Sequence, residues 1–151
     1  MSHVVGYLFA VVVGYFMVGR VAKHAWIWME EESPTSWTSG MLGGIERIIY
    51  VASLQLGKGE VIGFWLAVKV AGQWIFGQEK EPGDAMKARK VHNIVLIGNG
   101  LSILYAVVGF KMIGWLDGKD WGPAILVPLS LLLATVFCSS WIGREIQKKR
   151  A

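Results

Sequence analysis

Five stretches of this chain are apolar for nearly long enough, or long enough, to cross the hydrocarbon core of a bilayer. They are Val4–Gly19, Met41–Leu56, Val61–Gly77, Val91–Leu116 and Trp121–Ile142. The first continues to about Met29 with Val21, Ala22, Ala25, Trp26 and Met29 at helical spacing, before Glu30-Glu31-Glu32-Ser33-Pro34 ends it. The second and third runs sit at the short limit for spanning and are joined by the tight turn Gly57-Lys58-Gly59-Glu60. The expected fold is an all-α polytopic transmembrane bundle of about five spans, forming one integral membrane domain over residues 1–151. Four spans plus a re-entrant hairpin at Met41–Gly77 is the alternative. Pro128 removes one backbone hydrogen bond and should kink the last helix.

Composition agrees: 54% of residues are hydrophobic and 17% are charged, so a soluble domain this small would leave much apolar surface in water. The tryptophans Trp26, Trp28, Trp37, Trp74, Trp115, Trp121 and Trp141 lie near run ends, where an indole meets the acyl boundary with its body and water with its N–H. No clear cleavage site follows the first run, so it is expected to remain as a span. Arg20, Lys23, Lys80, Lys87, Arg89, Lys90, Arg144, Lys148, Lys149 and Arg150 fall on one side; Lys58 and Lys119 fall on the other, with Lys111 near that end. By the positive-inside rule the N-terminus is then outside and the C-terminus cytoplasmic. The basic side should attract anionic lipid headgroups. The same charges lie beside apolar runs without Gly–aromatic interleaving, which argues against nucleic acid as a partner.

Glu46, Arg47, Lys69, Gln73 and Asn99 interrupt the apolar runs. An ionisable group at bilayer depth costs about 2.5–3.5 kcal/mol on insertion scales, so it normally faces a partner or water. At about 1.5 Å per residue, Glu46 lies about 7 Å and Gln73 about 6 Å from the cytoplasmic end of their runs, and Lys69 and Asn99 about 12 Å. Lys69 and Gln73 share a helix face, and the tight turn makes their helix an antiparallel neighbour of the one carrying Glu46. This common depth predicts a buried cluster with Glu46 and Lys69 paired and Gln73 and Asn99 as hydrogen-bond partners. The plainer reading makes the cluster helix–helix glue and lets Arg47 snorkel to the headgroups.

Gly6, Gly14, Gly43, Gly44, Gly98 and Ser102 are candidate helix-packing positions, since small residues allow backbones to approach. Gly40 with Gly44 and Ser102 with Ala106 have the small-xxx-small spacing. No catalytic or metal-ligating residues and no cofactor are expected. His24 and His92 both fall at the cytoplasmic interface with no acidic ligand motif. Cys138, Ser139 and Ser140 have no base beside them, and Gly98-Asn99-Gly100 lies in an apolar helix rather than after a strand.

Gly43-Gly44-Ile-Glu46-Arg47, then Leu66-Ala-Val-Lys69, then Leu96-Ile-Gly-Asn-Gly-Leu-Ser102 resembles a pattern of uncharacterised bacterial inner-membrane proteins, G-x-x-E-R … L-A-x-K … L-I-G-x-x-x-S. Asn99-Gly100 stands where that pattern has Thr-Leu. The resemblance implies a bacterial inner-membrane location and a shared environment for Glu46, Arg47, Lys69 and Ser102. It implies no activity.

The leading functional expectation is a non-enzymatic membrane protein that assembles with itself or with a larger membrane complex. The alternative is a small channel or transporter whose polar cluster lines a hydrated path. An enzyme acting on lipids comes last, for want of a base or metal ligands.

Overall fold

In the computed structural model the described backbone covers residues 1–30, 37–77 and 85–150, with side chains described for 1–30, 40–72 and 87–148. All regular structure among these residues is helical. The helices are α1 (Ser2–Trp28), α2 (Trp37–Gln55), α3 (Glu60–Gly77), α4 (Ala85–Asp117) and α5 (Trp121–Arg150). Two of them outrun their apolar runs. The helix carrying Val91–Leu116 begins at Ala85, and the basic C-terminal segment is helical to Arg150, because neither boundary holds a breaker. Most of the loop at Gln78–Lys90 lies outside the described residues.

The α2–α3 turn is a Schellman closure. Gly57 takes φ +67, Lys58 N–H donates to the Ser53 carbonyl and Gly57 N–H donates to that of Leu54. The α4–α5 turn repeats it with Lys119 at φ 58, Asp120 N–H donating to the Trp115 carbonyl. Such closures satisfy the last carbonyls of one helix and reverse the chain within a few residues.

Helices that follow one another in the chain run in opposite directions, so α1 and α5 pack in parallel, as do α2 and α4. Ser2 and His3 at the start of α1 bond Asp117 of α4 and Gln55 of α2, both at the ends of their helices. At the other end, Arg20 of α1 reaches Ser139 of α5, and Lys90 of α4 donates to the Met29 carbonyl just past α1. α4 is central: it packs against α1, α2 and α5. The α1–α4 approach is close enough that a Cβ on Gly6 would lie 2.5 Å from the Gly109 carbonyl oxygen, and one on Gly109 would lie 2.6 Å from that of Gly6. Phe9–Val13 within α1 is a π turn. In an α-helix, steps of four residues advance about 40° beyond a full turn, so Gly6, Ala10 and Gly14 would drift off one face. The wider i→i+5 turn takes up that drift, and all three are buried.

Apolar clusters fill much of the rest of the core. Ala10, Tyr50, Val51, Ile62, Ala106 and Ile113 form one cluster; Phe9, Tyr105, Val108 and Met112 form another. Outward, the surface stays oily. Phe64 is 71% exposed on α3, and Leu126, Leu133 and Phe137 are all above 60% on α5. Ser2–Trp28, Lys87–Asp117 and Trp121–Lys148 are each long and apolar enough to cross a membrane. Exposed apolar side chains on such helices meet acyl chains rather than water, and the chain is a membrane-embedded helical protein. At 19 and 18 residues, α2 and α3 are about 27–29 Å long.

Candidate functional site

α2 delivers the charge. Glu46 and Arg47 are successive helical residues, so their side chains leave the axis about 100° apart and enter two different seams. Both are 2% exposed.

Glu46 turns toward α3. Lys69 Nζ lies 2.7 Å from Glu46 Oε1 and 3.0 Å from Oε2, and it donates also to Asn99 Oδ1 of α4 at 2.7 Å. All three ammonium donors thus have an acceptor nearby. Trp65 Nε1–H donates to the same carboxylate at 3.2 Å. Trp65 and Lys69 are four apart and share one face of α3, so that helix grips the carboxylate at two successive turns. Asn99 is 7% exposed and the Lys69 side chain 21%, so the cluster is nearly closed. The three helices meet here through a single set of charge-assisted bonds, which in low dielectric are shorter and stronger than neutral ones.

Arg47 turns the other way, into the seam of α1, α2 and α4. It does not snorkel. Its Nη1 donates to Ser102 Oγ at 3.1 Å, and Ser102 is 4% exposed. Gly14 makes the room: a Cβ there would lie 2.9 Å from Arg47 Cδ and 3.1 Å from Nε. Gly43 sits over the guanidinium at one turn's distance, with its notional Cβ 3.5 Å from Nη1. Arg47 Nε and, one turn on, the Tyr50 hydroxyl are buried with no hydrogen-bond partner among the described residues. In the same bundle Tyr105 of α4 donates to Thr135 of α5 at 3.0 Å.

Glu46, Lys69 and Asn99 therefore converge, while Arg47 and Ser102 form a second polar contact on the far side of α2. The Gln73 side chain lies outside the described side chains. Gly6 and Gly14 face inward, as does Gly43, but a Cβ on Gly44 or Gly98 would meet nothing within 4 Å among the described residues. Gly63, Gly72 and Gly100 are similarly open. His24 sits at the α1–α5 seam with Nδ1 2.8 Å from the Arg20 carbonyl oxygen and 3.1 Å from Ser139 Oγ. Ser139, expected to have no base beside it, thus has an imidazole brought to it from a distant helix, though it is itself fully buried and engaged by Arg20. Among the described residues no group of three or more His, Cys, Asp and Glu is arranged to hold a metal ion. The sequence reading passed over Trp65; its spacing from Lys69 was the available signal. With this geometry in view, no family model, no characterised protein and no solved structure matches the chain.

Proposed function

We propose that this chain is a non-enzymatic integral membrane protein that works by assembling in the bilayer, with copies of itself or as part of a larger membrane complex. In this reading all five helices cross a bacterial inner membrane, with the N-terminus outside and the C-terminus in the cytoplasm. The alternating helix directions and the basic residues at one end of the bundle support that topology.

One observation carries the assembly reading. The charged cluster has its acceptors within the chain, while Gly44, Gly63, Gly98 and Gly100 present bare backbone to open space on α2, α3 and α4. A glycine facing lipid contributes no side-chain packing, whereas a glycine facing another helix lets it approach closely. The test is the mass of the purified protein in mild detergent and in lipid nanodiscs. A stoichiometric oligomer or a co-purifying partner is expected, and Gly98→Leu should reduce it. A single-chain mass in both media, with nothing co-purified, would end this reading.

A second reading, a small channel or transporter, has support from the two orphaned polar atoms. Arg47 Nε and the Tyr50 hydroxyl call for water in the bundle interior. Liposome flux of the native protein and Lys69→Ala tests it: background leak from both removes it.

A further inference from the structure

Arg20 stands at the cytoplasmic edge of the first apolar run, directly after Gly19, and Ser139 stands three residues before the end of the last run at Ile142. The structure joins them. Arg20 Nε donates to Ser139 Oγ at 3.2 Å, and Ser139 is fully buried at 0% exposure. His24 lies one turn along α1, its Nδ1 bonded to the Arg20 carbonyl at 2.8 Å and 3.1 Å from the same Ser139 oxygen. Gly143, one turn beyond Ser139, leaves the other edge of the imidazole clear: a Cβ there would lie 3.5 Å from Nε2.

This arrangement fixes a guanidinium by its inner nitrogen. Among the described residues neither terminal nitrogen of Arg20 has an acceptor, although the residue is exposed. A guanidinium fork matches the oxygens of a phosphate two at a time, and one already held by Nε loses little freedom on binding. Lys23, three residues on from Arg20, and Arg144, five on from Ser139, add exposed cations at the same end of the two helices. The nearest acid on α5, Glu145, is engaged by Lys148 at 2.7 Å. Trp141 is 54% exposed two residues from Ser139, and an indole in that position marks the headgroup level of a bilayer.

We propose that the cytoplasmic end of the α1–α5 seam is a seat for the phosphate of an anionic phospholipid, gripped by the Arg20 fork with His24 beside it. The proposal rests on the cytoplasmic orientation of this end, and it is more specific than the general pull of a basic surface. A diffuse field is indifferent to which cation supplies the charge. A seated fork is not.

Native mass spectrometry of the detergent-solubilised protein separates the two, using phosphatidylglycerol against phosphatidylcholine as the lipid probes. The native protein should retain phosphatidylglycerol preferentially. Arg20→Ala and Arg20→Lys should both weaken that retention by at least about tenfold, because a lysine cannot restore two parallel bonds. Ser139→Ala, which keeps every charge and removes the oxygen that holds the fork and the imidazole, should fall between, and it decides the matter should the Arg20 variants fold poorly. Lys87→Ala, an exposed cation on α4 at the same end of the bundle, should behave as native. Native-like retention by Arg20→Lys, equal losses in Arg20→Ala and Lys87→Ala, or equal retention of the two lipids overturns the proposal. So does displacement by soluble glycerol phosphate at concentrations matching the lipid, which would make this a site for a free phosphate ester. The same spectra report how many chains travel together, so failure of the lipid seat and failure of the assembly reading are told apart.

Discussion

The two seams that meet on α4 are built on opposite principles. Where α1 crosses α4, the contact is backbone on backbone: Gly6 and Gly109 place each other's carbonyl oxygens where any side chain would stand. Where α3 joins α2 and α4, the contact depends heavily on charge, with Lys69 bridging Glu46 and Asn99 and Trp65 adding a bond to the carboxylate. Lipid tails are as apolar as leucine, so helices in a bilayer gain nothing from hiding oil from water and must associate by close packing or by polar bonds. One seam uses the first device and the other the second. The first needs shape and tolerates no added atom. The second needs partners and tolerates no missing one.

That contrast is tested most strongly at Lys69. Lys69→Met leaves Glu46 buried and unpaired, and a loss of about 3–5 kcal/mol is expected, read by denaturing-detergent titration. The double variant Lys69→Met with Glu46→Leu should recover most of it, since removing both charges removes the desolvation burden as well. If the single and double variants are equally destabilised, the pair carries no coupling and the charged seam is held by its apolar neighbours Ile62 and Leu66 instead.

At the α1–α4 seam the converse change is an addition. Gly109→Ala puts a methyl 2.6 Å from the Gly6 carbonyl oxygen and 2.9 Å from the Ala10 methyl. Neither neighbour can swing aside, so α1 must move away from α4. A cost of about 1–3 kcal/mol is expected, as for overpacking in general. Gly98→Ala on the same helix, with nothing within 4 Å, should be silent in a single chain. A measurable loss there in the monomeric state would show that the outward glycines already have a neighbour.

Gly14 lies between the two cases, because the atom it would strike is the flexible stem of Arg47 rather than backbone. Gly14→Ala should cost about 1 kcal/mol, with the guanidinium shifting and its bond to Ser102 weakening. A Ser102→Ala background reads that coupling: the penalty of Gly14→Ala should shrink when the bond is already gone.

The charged seam was the more legible of the two in the sequence, and the reason is energetic. Glu46, Lys69 and Asn99 would be expensive at bilayer depth, so each is expected to find a partner, and the tight turn after Leu56 sets the helices of Glu46 and Lys69 side by side. Arg47 was legible only through the resemblance that groups it with Ser102, not from its own place in the run. A long cation near a run end can equally reach the headgroups, and only Gly14 on a distant helix decides that it stays inside. The direction of a glycine is hidden for a related reason. Gly6 and Gly98 look alike in sequence because neither has a side chain to declare a face, yet one is sealed against α4 and the other is bare. The π turn at Phe9–Val13 left no mark either, since it serves an alignment with α4 that the first run alone does not specify. The Arg20–Ser139–His24 contact joins residues 115 to 119 positions apart, beyond any local pattern.

The smallest expected effect sharpens the comparison. Tyr105 belongs to the apolar cluster beside α1, stacked near Phe9 at 5.6 Å between ring centres, but its hydroxyl donates to Thr135 of α5. It is a neutral polar bond in an otherwise shape-dependent part of the bundle. Tyr105→Phe keeps the ring and removes only that bond, and neutral interhelical bonds in membranes average about 0.6 kcal/mol. The Thr135 hydroxyl also donates to the Leu131 carbonyl one turn back at 2.8 Å, and it keeps that bond when the Tyr105 donor is removed. A loss near that size in the same titration keeps charge as what distinguishes the α3 seam. A loss approaching that of Lys69→Met would mean that any buried polar bond here counts as much as an ion pair, and the division between the two seams would fall.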